Sequence, residues 1–484
     1  MVEKRSMIGE FNLADKTVAV SFGDGKLTLR DIVTDNTYDL HIKEVLKVEH
    51  MEGQRSCVRL HHVVKHSNHV LRAEMCELYG DLTSCQCLVT EIQEELNLLN
   101  RPKRLLIFVN PKSGHKKGVK IYSSKVAPLL KLSGVEHTKV IVTQKAGEPK
   151  ELLATYDMSL IHGIVSVGGD GMFSECVNGL LARLQNDSQI DMNDPESDIV
   201  ASKIPIGIVP TGSGNYLANY IHRTKDIETA VLKIILGDHH MSNVVSLHEG
   251  RQLKCYASLL MEFGLIGRMM KDCENFRWMG PSRYSVVPLK SMMTRSPVDV
   301  EIEYIPEEPK RSPPSTAKFL RQVSLPASKF SEKFFRQRLF SMPGDYDADK
   351  KNDWKKLDGR VYGVDTYVVT QKEKGETLIP RFGDNALTMW VTDKCSLSDH
   401  VEQLTKLQKR QSGFLDFDFI RKVRTTRYRV SLPSVSTTMN EVGERHLNKK
   451  FYINADGEAI KLETPQFEVR LHQGTMPIYG TVEG

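Results

Sequence analysis

The stretch that most constrains this chain is residues 164–179, IVSVGGDGMFSECVNG. A short apolar run at 164–167 stops at a Gly-Gly-Asp-Gly turn, Gly168 to Gly171, and a helical pattern begins at Phe173. Glycines allow a tight turn that other residues adopt only at a cost. A buried strand followed by a helix would place this turn at the carboxyl edge of a parallel sheet, where open α/β folds bind ligands and backbone N–H groups can face phosphate oxygens. The same tetrapeptide can also be a purely structural turn, so its context decides.

Two more glycine-rich turns follow apolar runs in the same way. The run at 105–109 leads into NPKSG at 110–114, and the run at 204–209 leads into PTGSGN at 210–215. Three such units within about a hundred residues, separated by helix-length segments, predict one parallel sheet whose loops gather at one edge. None of the three turns is a Walker loop or a GxGxxG fingerprint.

Together the three turns resemble the lipid kinases related to diacylglycerol and sphingosine kinases, whose catalytic domain carries NPxxG, GGDGxxxExxNG and PxGSGN in this order. All three motifs are present in full. The similarity covers about residues 104–471, and two flanks, KDCENFRWMGPSRY at 271–284 and NADGE at 454–458, are most similar to the ceramide-phosphorylating members. NAD kinases share the Gly-Gly-Asp-Gly turn on a related fold but lack NPxxG at this spacing. The resemblance implies ATP and Mg²⁺ as cofactors.

The resemblance also implies the residues of the site. The expected nucleotide contacts are Asn110, Pro111, Lys112, Thr143, Gln144, Lys145, Ala146, Gly147, Glu175, Gly212, Ser213, Gly214, Arg277, Arg283, Asp456, Gly457 and Glu458. Asp456 and Glu458, two apart in a turn, are also the expected magnesium ligands, with a plain β-turn as the alternative. The two arginines would offset phosphate charge, unless they are solvated surface residues.

On the lipid side, the expected contacts are Gly168, Gly169, Asp170, Gly171 and Arg268. Asp170 is the candidate general base for the lipid hydroxyl, because a carboxylate within hydrogen-bond reach can take its proton. The alternative for Asp170 is a cap at a helix N-terminus. Arg268 stands where the family has an acid. Since a buried ammonium calls for a carboxylate, this favours a neutral amide over a protonated amine, unless Arg268 points to solvent.

The chain predicts three regions. Residues 1–100 show six short β segments and a helical pattern at 82–99, which resembles a pleckstrin-homology (PH) domain; this region would bind membranes or phosphoinositides, or serve only as a packing module. Residues 101–243 form the α/β catalytic domain, similar to NAD and diacylglycerol kinases, with an exposed insertion at 186–203. Residues 244–484 read as a β-sandwich that shapes the lipid pocket. Within it, 306–353 is expected to be a disordered, phosphorylatable loop or a membrane contact.

Composition limits the remaining possibilities. The 484 residues contain no apolar run long enough for a membrane span, and the first residues lack the apolar centre of a signal peptide. Eight scattered cysteines suggest reduced thiols. With a net charge of only +5, no nucleic-acid partner is expected. Taken with these limits, the resemblance implies a cytoplasmic, peripherally membrane-associated kinase that phosphorylates the primary hydroxyl of ceramide. Sphingosine or diacylglycerol is the alternative substrate, and a catalytically silent lipid-binding scaffold is the alternative of another class.

Overall fold

The computed structural model describes residues 6–135, 137–212, 214–307, 354–374, 377–409, 411, 413–435, 437–439, 445–447 and 450–480. All but the first two residues of the insertion predicted at 306–353 lie outside this part of the chain. Ser213, an expected nucleotide contact, lies outside it too.

The N-terminal module is one antiparallel sheet closed by a helix. Its strands are β1 Ser6–Leu13, β2 Lys16–Gly23, β3 Lys26–Asp31, β4 Thr37–His41, β5 Val45–Met51, β6 Ser56–Ser67 and β7 Val70–Gly80, in the order β4-β3-β2-β1-β7-β6-β5. Helix α1, Leu82–Leu98, begins where the Asp81 side chain accepts the Ser84 N–H at 2.9 Å. Leu88 and Ile92, one helical turn apart, are fully buried against the sheet. The expected strands and closing helix are present, and β1 is an additional strand.

The second region is the parallel sheet that the three motifs predict. Its strands are β8 Arg104–Val109, β9 His137–Val142, β10 Gly163–Gly168 and β11 Ile206–Pro210, all parallel, in the order β9-β8-β10-β11. The helices are α2 Ser113–Lys116, α3 Gly118–Ile121, α4 Ala127–Leu132, α5 Glu148–Leu153, α6 Asp170–Asp187, α7 Tyr216–His222 and α8 Ile227–Leu236. The central strands β8, β10 and β11 are buried on both faces, as apolar parallel strands require.

The third region is rich in β structure. Its strands are β12 His239–Glu249, β13 Gln252–Ala257, β14 Leu260–Gly264, β15 Val298–Pro306, β16 Lys355–Tyr367, β17 Thr370–Lys374, β18 Thr377–Arg381, β19 Leu387–Asp393, β20 Ile420–Ser431, β21 Thr437–Met439, β22 Arg445–Leu447, β23 Phe451–Ala455, β24 Glu458–Leu462 and β25 Gln466–Tyr479. The helices are α9 Leu265–Asn275, α10 Arg283–Met293 and α11 Leu397–Lys409.

The long last strand joins this region to the parallel sheet of the second region. β25 pairs antiparallel with β12 and β20, and near its end it pairs parallel with β11 through Ile206 and Ile478. Because one strand serves both regions, the two are a single hydrogen-bonded network of 14 strands within the described residues. The domain boundary predicted at residue 243 therefore falls inside β12 and does not separate two sheets.

The N-terminal module packs directly on the second region. Leu46 and Val63 of the module share an apolar cluster with Leu105 and Val231. Next to it, residues of β7 make polar contacts with the start of α8, where Asp226 caps the helix by accepting the Thr229 N–H. The module is thus held by buried apolar contact and by polar contacts at its edge.

Candidate active site

The turns of the second and third motifs touch through their backbones. A Cβ on Gly212 would lie 2.5 Å from the Gly169 Cα, a separation that side chains do not tolerate. The Thr211 and Gly212 N–H groups donate to the Gly168 carbonyl at 2.9 and 3.2 Å. The approach requires glycine at 212 and leaves little room for a side chain at 169, where a Cβ would lie 3.2 Å from the Gly212 Cα.

The first motif lies beside them, at the end of β8. The Asn110 N–H donates to the Val167 carbonyl at 3.0 Å, which ties this turn to β10. The Asn110 side chain accepts the Lys112 N–H at 2.9 Å and shapes the turn, in which Pro111 is half-buried and Lys112 is exposed. Gly118, at the start of α3, packs so closely that a Cβ would lie 2.0 Å from the Asn110 carbonyl oxygen. The three turns therefore meet at one sheet edge, as predicted.

Glu175 and the loop after β9, both expected to contact the nucleotide, lie against each other. Burial raises the pKa of the Glu175 carboxyl, and a hydrogen bond from the Gly147 backbone N–H partly offsets that rise. Gly147 is in the left-handed conformation, with φ of 81°, and begins α5. Thr143 is buried at the start of this loop, while Gln144, Lys145 and Ala146 are exposed.

Asp170 lies where the second and third motifs meet. Its carboxylate oxygens accept the backbone N–H groups of Tyr216 at 3.0 Å and Leu217 at 2.9 Å, the first residues of α7. Asp170 thus caps the helix after the third motif, although it stands at the start of α6. Burial raises the pKa of Asp170 above its usual value, and the two N–H donors oppose that shift. Gly214 lies alongside, since a Cβ there would be 3.4 Å from the Asp170 Oδ2.

The two expected metal ligands in the turn at 456–458, Asp456 and Glu458, have different surroundings. Asp456 is 5% exposed, and its two carboxylate oxygens accept four hydrogen bonds at 2.6–3.0 Å, from the N–H and hydroxyl of Ser258 and from the N–H groups of Leu259 and Leu260. This geometry leaves Asp456 no oxygen lone pair for a metal, so the expected ligand role does not fit it. Asp456 instead clamps the backbone that leads into β14.

Glu458 is the exposed carboxylate of this turn and faces the second motif. A Cβ on Gly171 would lie 3.5 Å from the Glu458 Oε1. Gly457, between Asp456 and Glu458, has a positive φ of 94°, and its N–H donates to the Asn454 side chain at 2.9 Å. The described residues contain no group of three or more His, Cys, Asp or Glu side chains with metal-binding geometry.

The three arginines expected at the site have different surroundings. Arg268 donates to the Thr294 carbonyl at 3.1 Å and so satisfies the C-terminal end of α10, a structural role that the sequence did not predict. Arg283 donates to the Gly280 carbonyl at 3.1 Å. Arg277 is the first residue of a short helical turn, Arg277–Ser282.

Sequence reasoning missed two buried acids that lie opposite each other on neighbouring strands. Glu262 of β14 pairs in register with Asp365 of β16, and the two are 6% and 5% exposed. Burial raises the pKa of Glu262 to about 7. The pKa of Asp365 is raised well above its usual value by burial and by the Glu262 charge. The missed signal is the pattern MEFG and YGVDTY, where an acid interrupts an apolar run.

Comparison with known proteins defines the class. Residues 104–247 match the diacylglycerol kinase catalytic domain, which confirms the prediction from the three turns. The turns of the second and third motifs and the turn at 110–114 all lie within this matched stretch.

Three individual proteins are similar to this chain over most of its length. It is 28% identical over 409 residues to ceramide kinase of Homo sapiens, covering 80% of this chain and 75% of the human protein. It is 29% identical over 396 residues to ceramide kinase of Mus musculus, covering 78% and 74%. Sphingosine kinase 1 of Arabidopsis thaliana is 28% identical over 324 residues, covering 66% and 62%. Among the helices of the described ranges, none has the length and apolar character needed to cross a membrane.

Proposed function

We propose that this protein is an ATP-dependent lipid kinase that transfers the γ-phosphate of ATP to the primary hydroxyl of ceramide, giving ceramide 1-phosphate. The observation that carries the proposal is the meeting of three glycine turns around Asp170 at one sheet edge. The similarity to ceramide kinases over three quarters of their length supports the lipid class.

Phosphoryl transfer asks the protein mainly to hold phosphates and to aim a hydroxyl. Gly169 and Gly212, both half-buried, meet beside the N-terminus of α6, where N–H groups and the helix dipole favour anions. Lys112 adds an exposed cation next to this edge. We assign the nucleotide phosphates to this surface, with the loop at 143–147 and Glu175 as its second wall.

Asp170 is the proposed general base. Its raised pKa, caused by burial, makes the carboxylate a better proton acceptor than an exposed aspartate. The bonds from Tyr216 and Leu217 fix its orientation while each oxygen keeps a lone pair. The carboxylate can therefore accept the lipid hydroxyl proton as the oxygen attacks phosphorus.

Magnesium fits this site through Glu458, because Mg²⁺ commonly takes one or two carboxylates together with substrate phosphates and water. When bound, the ion would neutralise phosphate charge. Asp456 positions the turn and is not assigned as a ligand.

Peripheral membrane association is the other part of the proposal. Val33 and Ile32, in the turn between β3 and β4, are 89% and 45% exposed and offer an apolar contact. The lysines and arginine of β2 and β3 each lie beside an acid: Lys16 at 3.4 Å from Asp31, Lys26 at 2.5 Å from Asp39 and Arg30 at 3.2 Å from Asp35. This pairing favours an apolar membrane contact over a phosphoinositide ligand.

The test is radiolabelled ATP presented with ceramide, sphingosine or diacylglycerol in mixed micelles. We expect labelled ceramide 1-phosphate as the main product and its loss in Asp170→Asn. If no lipid is labelled by a folded protein that binds ATP, the scaffold alternative replaces the proposal. If sphingosine or diacylglycerol is used as efficiently as ceramide, the substrate assignment is wrong.

A further inference from the structure

A lysine outside every motif, Lys225, lies against the loop that carries the third motif. It stands in the short connection between α7 and α8 and is exposed. Its ammonium donates to the Gly214 carbonyl at 2.7 Å and lies over the Tyr216 ring, 5.8 Å from the ring centroid. One side chain therefore contacts the loop at two points, one on each side of Asn215.

The two residues that Lys225 contacts are the ones that touch the candidate base. A Cβ on Gly214 would lie 3.4 Å from the Asp170 Oδ2, and the Tyr216 N–H donates to the same oxygen at 3.0 Å. Burial raises the pKa of Asp170, and the N–H groups of Leu217 and Tyr216 and the Lys225 charge oppose that rise. The ammonium thus acts on the surroundings of Asp170 through its contacts and through its charge.

The loop between these two contacts has a backbone conformation that its neighbours must hold. Asn215 is left-handed, with φ of 52° and ψ of 41°, which is uncommon for residues other than glycine and costs free energy. The Asn215 side chain accepts the Gly212 N–H and donates to the Gly212 carbonyl, both at 2.8 Å. These bonds hold the part of the loop next to β11, and Lys225 holds the part next to α7.

The backbone that carries Lys225 is itself fixed from two sides. The next residue, Asp226, caps α8 by accepting the Thr229 N–H at 2.9 Å, and its own N–H donates to the Thr224 hydroxyl at 3.2 Å. From the N-terminal module, Arg72 donates to both Asp226 carboxylate oxygens, at 2.7 and 3.1 Å. An ordered backbone lowers the entropy cost of holding a long side chain in one place, so this lysine is suited to position the loop.

We propose that Lys225 is a positioning residue for phosphoryl transfer, which holds Gly214 and Tyr216 so that the Asp170 carboxylate stays aimed at the lipid hydroxyl. The inference rests on the proposed function, since it adds Lys225 to the reaction in which Asp170 is the base. Lys225 acts through the loop and is assigned no contact with phosphate or lipid. Because a small displacement of a catalytic group lowers the rate strongly, the loss of this support reaches the chemistry.

The test compares the full-length protein with Lys225→Met, which keeps an apolar stem and removes the charge and donors, and with Lys225→Arg, which keeps both. With ATP and ceramide in mixed micelles, we expect Lys225→Met to lower kcat about 5- to 30-fold and to change KM for ATP by less than about twofold. Lys225→Arg should restore most of kcat, because a guanidinium can donate to the same carbonyl and stack on the same ring. Lys139, an exposed lysine of β9 that lies over the Tyr156 ring at 5.1 Å, provides the matched control, and Lys139→Met should leave kcat unchanged.

Hydrogen–deuterium exchange of residues 214–218 gives a readout that does not depend on turnover. Exchange in this segment should be faster in Lys225→Met than in the unmodified protein and Lys225→Arg, because the N–H groups of Tyr216 and Leu217 are bonded to Asp170. Melting temperature is measured for each variant to confirm that it is folded.

Unchanged kcat or unchanged exchange in folded Lys225→Met would overturn the inference. A rise in KM for ATP with unchanged kcat would overturn it too, because that result places the ammonium on the nucleotide. If exchange becomes faster in Lys225→Met but the unmodified protein phosphorylates no lipid, the proposed function fails while the support of the loop by Lys225 stands.

Discussion

The Asp170 carboxylate accepts the Leu217 backbone N–H at 2.9 Å, so the acid of the second motif orders the helix that follows the third. One side chain thereby joins two turns that are far apart in the sequence. A structural role and a catalytic role coincide at this residue, and they are separable by experiment.

Asp170→Asn should lower kcat by about two to four orders of magnitude, because the amide cannot accept the hydroxyl proton. It should also cost roughly 1 kcal/mol of stability, since the amide nitrogen cannot accept one of the two N–H groups that the carboxylate oxygens hold. Asp81→Asn, at the cap of α1, is the control and should leave both stability and kcat unchanged, because asparagine caps helices about as well as aspartate and can still accept the Ser84 N–H. Near-normal kcat in folded Asp170→Asn would exclude Asp170 as the base.

Substitutions of the two acids in the turn at 456–458 should have different effects. Glu458→Gln should raise the magnesium concentration needed for half-maximal activity while leaving the melting temperature unchanged. Asp456→Asn should lower the melting temperature, since the four-bond clamp on Ser258 and its neighbours is weakened. Magnesium titrations and thermal melts of both variants check this, and the reverse pattern would return the metal to Asp456.

The N-terminal module should not be separable from the catalytic region. Removing residues 1–98 would expose the apolar cluster around Leu105 and Val231, so we expect a truncated chain to be less stable and to aggregate. A smaller perturbation is Arg72→Ala, which removes the contact with Asp226 at 2.7 Å and should cost on the order of 1 kcal/mol. Arg59→Ala, whose partner Glu77 lies within the module, is the control for an ion pair that does not cross the interface.

Arg268→Asp should leave the preference for ceramide over sphingosine unchanged. The Arg268 guanidinium donates to the Thr294 carbonyl at 3.1 Å, so it is engaged at the end of α10. The measurement is kcat/KM for both lipids. If Arg268→Asp lowers the ratio of kcat/KM for ceramide to kcat/KM for sphingosine, Arg268 contacts the lipid head group as the sequence suggested.

Stability should fall on acidification below about pH 6.5. Burial lowers the pKa of both His222 and His472 to about 3. A base with a depressed folded pKa contributes stability above its unfolded value of about 6.5, and that contribution is lost as pH falls toward 3. Each such histidine costs roughly 1.4 kcal/mol at pH 5.5. In thermal melts from pH 7.5 to 5, the melting temperature of His472→Gln should fall less with pH than that of the unmodified protein. If the two fall equally, His472 is not buried in its neutral form.

The sequence alone predicted the elements whose signals are local. The apolar strands before the motifs, the glycine turns after them and the helix at Phe173 depend on residue type and spacing within a few positions. The amphipathic spacing of Leu88 and Ile92 likewise fixed α1. These features follow from local backbone preference and burial, which a single stretch of sequence records.

Only the tertiary structure decided which groups meet. The insertion at 186–203 is exposed at most positions, as the sequence predicted, but only the structure shows that Glu196 pairs with Arg427 at 2.6 Å, 231 positions away. The pairing of β25 with β11, the clamp of Asp456 on Ser258 and the facing of Glu262 and Asp365 likewise join distant segments. Sequence patterns carry the periodicity of one element, whereas hydrogen-bond partners and buried charge pairs depend on the register between elements, which packing of the whole chain determines.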